Sequence, residues 1–90
     1  MAVEAELTAY IEHQLRDQGD EVEVRPDDDL VMLGLDSIAF VRLLAFIDER
    51  YGLRVPDVDV TIDRFGTVAA MTAYLRASGV AGDGDDGGDR

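Results

Sequence analysis

Apolar residues recur at helical spacing in three stretches of the chain. In the first stretch the apolar positions are Val3, Leu7, Tyr10, Ile11 and Leu15. This spacing predicts an amphipathic helix over residues 3–17 that ends near Gly19. A second helix is predicted from Ser37 to about Tyr51, and a third over residues 68–77.

The second predicted helix has two different faces. At about 100° per residue, the large apolar side chains converge on one face, which should be buried: Phe40, Leu43, Leu44, Ile47 and Tyr51. The opposite strip begins beside Ser37 and consists of Ile38, Arg42, Ala45 and Glu49, with Val41 at its margin. Asp36 directly precedes the helix, and its carboxylate can accept hydrogen bonds from unpaired N–H groups of the first turn. We therefore predict that Asp36 is the N-cap.

The segment between the first two helices has no sustained period. It contains Pro26, where a helical turn could start, and a run of three aspartates. Its apolar side chains can anchor it in the core: Val22, Val24, Leu30, Val31, Leu33 and Leu35. Because a loop this long in a compact domain is usually functional or anchored, we expect such insertion. The aspartate run lacks the glycine turn and later glutamate of a calcium loop, so we predict no metal site.

The last part of the chain completes an all-α pattern. A short helix is predicted around residues 61–65 with Gly66 as its stop, and Thr67 can cap the final helix. Residues 1–78 should therefore form one four-helix bundle, with three long helices and one short one. Residues 79–90 are rich in Gly and Asp with almost no apolar side chains, so we expect them to be a disordered tail.

Composition narrows the possible functions. Ninety residues with 47% apolar side chains can fold as one domain but leave little room for an enclosed catalytic cleft. The 20 acidic and 8 basic residues give a formal charge of −12, which repels nucleic acid and anionic membranes and favours partners with basic patches. The N-terminal residues resemble neither a secretory signal nor a membrane span, so a cytoplasmic location is the default expectation.

Side chains for catalysis are scarce. The chain has no Cys and no Lys, and its single histidine, His13, lies outside the apolar stripe of its helix. A nucleophile–base pair would have to join His13 to a distant hydroxyl group. No Gly-rich phosphate-binding loop is present either. We therefore expect that the protein is not an enzyme.

Ser37 is the most informative position. It stands at the mouth of the second helix, directly after Asp36, in the sequence Leu-Gly-Leu-Asp-Ser-Ile. Helix capping alone would account for an Asp-Ser pair. In a small, acidic, Cys-free chain with four predicted helices, however, the wider pattern resembles the acyl carrier and peptidyl carrier protein family. The resemblance covers roughly residues 3–77 and includes these further features: the long first loop, Tyr51-Gly52, Val55-Pro56-Asp57 and Thr67-Val68.

The resemblance implies a covalent cofactor. It implies that Ser37 Oγ is joined through a phosphodiester to 4′-phosphopantetheine, whose thiol holds acyl or aminoacyl groups as thioesters. Asp36 would then serve recognition by the modifying transferase.

The resemblance also implies partners. They are a phosphopantetheinyl transferase, an acyl- or aminoacyl-loading enzyme, and downstream synthase or tailoring enzymes, with neither nucleic acid nor membrane among them. The residues expected to contact these enzymes are Ile38, Val41, Arg42, Ala45, Glu49 and Ile62. We expect the carrier to be a monomer.

The sequence leaves the cargo open. Carriers of fatty acid synthesis resemble one another in an acid-rich second helix, whereas Arg42 lies on the outer strip here. Peptidyl carriers usually have Leu-Gly-Gly-x-Ser, whereas Leu35-Asp36 precedes Ser37 here. The chain thus looks like a free-standing carrier of a specialised pathway, with a fatty acyl, polyketide, aryl or aminoacyl cargo.

A competing hypothesis is a helical protein-interaction module without a cofactor. It would account for the acidity, the small core and an exposed Ile38. It would not predict a serine and an acid at the mouth of that helix.

Overall fold

The computed structural model describes residues 2–19 and 21–80. It contains four α-helices: α1 (Ala2–Asp17), α2 (Ser37–Tyr51), α3 (Ile62–Phe65) and α4 (Val68–Ala77). A 3₁₀ turn, Asp57–Asp59, precedes α3, and the described residues include no strand. The predicted all-α bundle of three long helices and one short helix is confirmed.

Side-chain caps fix where the helices begin. The Thr61 hydroxyl accepts a hydrogen bond from the N–H of Arg64, and the Thr67 hydroxyl accepts one from Ala70. Each cap satisfies one N–H group that has no partner inside its own helix. At the end of α2, Gly52 adopts a left-handed conformation with φ 70°, a geometry that costs residues with a Cβ atom more than glycine.

One apolar core joins all four helices. Its fully buried side chains come from α1 (Val3, Leu7, Ile11, Leu15), α2 (Ala39, Leu43, Ile47), α3 (Phe65) and α4 (Val68, Met71, Leu75). In α1 they recur every four residues along the predicted stripe, in which Tyr10 is only half-buried. Removing such side chains from water contributes about 1.5–3 kcal/mol each, which is the main favourable term for a domain of this size.

The buried face of α2 is rotated from the predicted one. Leu43 and Ile47 are fully buried as expected, but the third buried residue is Ala39, while Phe40 and Leu44 are only half-buried. The cause is the position of α1, which packs beside the Ala39 edge of α2. There the Tyr10 ring stacks on Phe46 with ring centroids 4.4 Å apart.

The first loop is held by the core and by backbone hydrogen bonds. Val24, Leu30 and Leu35 are buried, which confirms part of the predicted anchoring. Val31, by contrast, is 52% exposed. The loop stays ordered without a helix because its main chain bonds to neighbouring elements: Leu30 N–H to Gly66 O, Ala69 N–H to Pro26 O, and Val24 N–H to a Glu12 carboxylate oxygen.

The end of α4 includes two residues of the predicted tail. Gly79 has φ 98°, its N–H donates to Arg76 O, and the N–H of Val80 donates to Leu75 O. This pair of bonds is a Schellman cap, and Val80 packs half-buried against the core as that motif favours. The rest of the predicted tail, residues 81–90, lies outside the described residues.

A polar cluster ties α1 to the end of α2. Arg50 donates two hydrogen bonds to the Glu6 carboxylate, and the Tyr51 hydroxyl donates a third. The hydrogen bonds from Arg50, followed by the one from Tyr51, lower the pKa of Glu6 below its usual 4.5. Partial burial, together with the hydrogen bond to Glu6, raises the pKa of Tyr51.

We predict that this cluster makes stability depend on pH below about 4.5. Because the folded state lowers the pKa of Glu6, its contribution is fully present above 4.5 and is lost as the pH falls through the folded value. The variant Glu6→Gln removes this titration. Denaturant unfolding should show a free-energy difference between wild type and variant that is constant near neutral pH and shrinks below 4.5. A difference that stays constant down to strongly acidic pH would contradict the assignment.

Candidate functional site

Ser37 is the first residue of α2, and its side chain is exposed. The residue two positions earlier, Leu35, is buried, so the chain leaves the core and reaches the surface within one short step. Gly34 before it has φ 105°, a left-handed conformation that suits glycine. The hydroxyl is therefore presented to solvent from a fixed point of the backbone.

The first turn of α2 has free hydrogen-bond donors. Asp36 is the N-cap as predicted, since its Oδ1 accepts from Ala39 N–H at 2.8 Å. Among the described residues, the N–H groups of Ser37 and Ile38 have no hydrogen-bond partner. They point along a helix end that carries a partial positive charge. An anion attached to Ser37 would meet these donors, whereas the Asp36 carboxylate opposes it.

The loop before Ser37 is fastened on two sides. Gln18, just after α1, donates its side-chain amide to Gly34 O at 2.7 Å. Leu35 N–H donates to Leu30 O, and Asp29 Oδ1 accepts from the backbone of Val31 and Met32. The aspartate run thus stabilises turns, and no group of His, Asp or Glu within the described residues could hold a metal ion.

The residues predicted to contact partners are all exposed. On α2 these are Ile38, Val41, Arg42, Ala45 and Glu49, and on α3 it is Ile62. Ile38, Val41 and Ile62 are 63%, 65% and 75% exposed, which is high for large apolar side chains. Since a helix rises about 1.5 Å per residue, Glu49 lies roughly 18 Å along α2 from Ser37 and Ile38 lies beside it. We call these six residues the outer face.

Two clefts flank the start of α2. The first, of about 150 Å³, lies between α2 and α3 and is apolar; Val31, Phe40 and Ile62 contribute to its wall. The second, of about 130 Å³, lies between the end of α1 and the start of α2; Gln14, Ile38 and Arg42 contribute to its wall. Ile38 and Arg42 therefore belong both to the outer face and to the second cleft, which we call the α1–α2 cleft.

Sequence patterns missed one residue of the site, Gln14. It is 6% exposed and lines the α1–α2 cleft. Its position gives a usable signal, because Gln14 follows Leu7 and Ile11 at the spacing of the buried stripe of α1. A polar residue at such a position is a reason to look for a binding partner.

The chain matches the family described as a phosphopantetheine attachment site over residues 5–75. This range includes every helix and the first loop. The chain belongs to the acyl and peptidyl carrier protein family. Its cofactor is covalently attached 4′-phosphopantetheine, and a domain of this family carries intermediates without catalysing their conversion. This membership favours the carrier hypothesis over the interaction module without a cofactor.

One solved structure is similar in both sequence and fold. It is described as "Crystal structure of FAD-dependent dehydrogenase", and its matched chain is 31% identical to this one with a TM-score of 0.65. The match covers 77% of this chain and 97% of that chain. No curated protein matches the chain. Across residues 2–19 and 21–80, the carrier has no helix that is long and apolar enough to cross a bilayer.

We predict that Asp36 stabilises the carrier through its capping hydrogen bond. Asp36→Ala removes the acceptor for Ala39 N–H and should lower the free energy of unfolding by about 0.5–2 kcal/mol. Asp36→Asn keeps an acceptor oxygen, so its free energy of unfolding should differ from that of wild type by only about a few tenths of a kcal/mol. Urea unfolding of the three proteins checks this. An equal loss in both variants would show that the charge, and not the hydrogen bond, is what stabilises the helix.

Proposed function

We propose that Ser37 is the residue that bears the phosphopantetheine arm of this carrier. The observation that carries the proposal is the exposed hydroxyl at the first residue of α2, inside the matched range 5–75. The unpartnered N–H groups of Ser37 and Ile38 support it, because they favour a phosphodiester at that point. Ser78, the other serine of the chain, instead follows α4 as its C-cap.

The residues around Ser37 fit such an attachment. The buried Leu35 and the Gln18–Gly34 hydrogen bond hold the attachment point still, so a transferase meets a preformed surface. Asp36 keeps the helix mouth in place and presents one free carboxylate oxygen, which we propose the transferase recognises. When bound, the arm supplies the thiol on which acyl groups travel as thioesters. The chain itself has no Cys that could compete for the acyl group.

We further propose that the outer face docks the enzymes that act on the cargo. From Ser37 to Ile47 the helix contains no acidic residue, although the chain has a charge of −12. Exposed Ile38, Val41 and Ile62 give this face an apolar centre next to the attachment point. A partner with an apolar docking surface fits this part of the carrier better than the basic patch suggested by net charge alone.

A flavin-dependent dehydrogenase is the partner that the comparisons favour. The similar solved chain is described under the name of an FAD-dependent dehydrogenase. Because 77% of 90 residues corresponds to 97% of that chain, it has only about 70 residues, too few to enclose a flavin. We infer that this short chain accompanies the dehydrogenase in the crystal. For the present carrier we propose that it offers a saturated acyl thioester to such a dehydrogenase.

We predict that Ser37→Ala abolishes loading and leaves the fold intact. Asp36 still caps the helix, so the structural cost should not exceed that of a lost cap, about 0.5–2 kcal/mol. Wild type, Ser37→Ala and the control Ser78→Ala are each incubated with coenzyme A and a broad-specificity phosphopantetheinyl transferase. Intact-mass measurement should show the added arm on wild type and control only. A loaded Ser37→Ala protein would place the attachment elsewhere.

We predict that a flavin enzyme must dock on the apolar centre of the outer face before it can oxidise the acyl group. Wild type, Ile62→Ser and Val58→Ser are loaded with a short saturated acyl group and mixed without oxygen with the dehydrogenase of the similar structure. Dehydrogenation breaks one C–H bond at each of two neighbouring carbons of the acyl group and forms a carbon–carbon double bond. One hydrogen leaves as a proton to a base of the dehydrogenase, and the other passes with two electrons as a hydride to FAD, which becomes reduced. Bleaching of the flavin should be about tenfold slower for Ile62→Ser, a typical cost of truncating a central contact, and unchanged for the equally exposed Val58→Ser. Absence of bleaching with wild type would remove the dehydrogenase from the proposal.

A further inference from the structure

The α1–α2 cleft has a buried polar group without a partner. Gln14 is 6% exposed, and within residues 2–19 and 21–80 its side-chain amide makes no hydrogen bond. A buried amide that gives up water without gaining another partner is costly, and such groups are uncommon in folded proteins. The amide of Gln18, four residues later, is satisfied by Gly34 O. The unsatisfied amide of Gln14 thus points to a ligand in the cleft.

The same cleft has an unpaired cation. Arg42 makes no ion pair with any described residue, whereas four other arginines do: Arg16, Arg50, Arg54 and Arg64. Asp17 and Asp36 also line the cleft, but neither forms an ion pair with Arg42. Arg42 is therefore free to bind an anion.

The apolar part of the cleft is formed by residues that directly follow the attachment point. Ile38 and Ala39, the two residues after Ser37, line the cleft together with Gln14 and Arg42. A ligand held there would combine an anion, a small apolar segment and an amide. Its volume would be limited, because a cavity of about 150 Å³ admits a molecule the size of benzene, and this cleft has about 130 Å³.

We propose that the α1–α2 cleft binds the proximal part of the phosphopantetheine arm, an inference that rests on attachment at Ser37. The arm carries the required groups in order: a phosphodiester, a dimethyl segment and an amide. Arg42 pairs with the phosphodiester and offsets Asp17 and Asp36. Ile38 and Ala39 contact the dimethyl segment, and the Gln14 amide bonds to the first amide of the arm. The distal amide and the thiol extend beyond the cleft, where they stay accessible to partners.

The first test follows Gln14 directly by nuclear magnetic resonance. Loading is verified by intact mass, and the side-chain amide resonances of Gln14 and Gln18 are compared before and after it. We expect the Gln14 resonances to shift and its amide protons to exchange more slowly with water. Gln18 lines the same cleft but is already bonded to Gly34 O, so its amide resonances should change less than those of Gln14. Unmoved Gln14 resonances in a loaded protein overturn the cleft proposal alone. A wild type that gains no mass overturns the attachment on which it rests.

The second test uses matched variants. Gln14→Met keeps the volume but removes the amide, so the protein without the arm should fold with little change. In wild type, loading should raise the melting temperature by about 4 °C or more, as one added hydrogen bond can in so small a domain. The increase should fall to less than half in Gln14→Met. An undiminished increase overturns the role of Gln14.

The phosphodiester is tested separately through its ³¹P resonance. The variants Arg42→Gln and Arg25→Gln change the net charge equally. In the wild type, the guanidinium groups of Arg42 and Arg25 form no ion pair with a described residue. We expect the ³¹P shift of the loaded carrier to move in Arg42→Gln and to remain at the wild-type position in Arg25→Gln. Equal spectra for both variants overturn the pairing with Arg42.

Discussion

The burial of Leu30 and Leu35 determines where Ser37 stands. Both leucines come from a loop without regular structure, and both are almost completely removed from water. Their burial is worth about 1.5–3 kcal/mol each, which helps offset the entropy lost when the loop is ordered. Two backbone hydrogen bonds fix the orientation of the loop while these side chains are buried. Leu30 N–H donates to Gly66 O, and Leu35 N–H donates to Leu30 O. The two buried leucines therefore determine the position of the start of α2 and of its free N–H groups.

After Ser37, the next ten residues of α2 contain no acidic side chain. Acidic residues lie in the loop, in the 3₁₀ turn and at the far end of α2, where several cap turns or pair with arginines. The part of α2 nearest Ser37 has apolar side chains and one unpaired cation, Arg42. Net charge then governs solubility and long-range attraction, while short-range recognition depends on apolar contact. Long-range attraction thus comes from acidic residues elsewhere on the carrier, and apolar contact comes from the part of α2 nearest Ser37.

Much of this structure could be predicted from local patterns. The caps at Asp36 and Thr67 and the stop at Gly52 depend on neighbouring residues only, so sequence was sufficient for the bounds of α2 and for the start of α4. Thr61 was predicted inside the short helix, and it caps α3 instead. The buried face of α2 depends on where α1 packs, which a single-helix period does not contain; Ala39 was therefore missed.

The candidate site divides in the same way. Ser37 and Asp36 could be predicted from a sequence motif, and the outer face could be predicted from the helical period of α2. The α1–α2 cleft could not be predicted in this way, because it depends on how two helices pack. Gln14 lies 23 residues before Ser37 in the chain, and only the fold brings it beside the start of α2. The first loop was correctly expected to be anchored, but which of its apolar residues stay exposed, such as Val31, depends on turns set by Asp29.

Peptide mapping of the loaded carrier tests the central claim most directly. The chain has no Lys, and trypsin does not cut before Pro26, so digestion releases residues 17–42 as one peptide. Within that peptide Ser37 is the only residue with an aliphatic hydroxyl group, and the peptide from residue 77 to the end contains Ser78 as an internal control. Tandem mass spectrometry after treatment with transferase and coenzyme A should find the arm on the peptide 17–42 alone. An arm found on any other peptide, or on none while a control carrier is loaded, would contradict the assignment of Ser37.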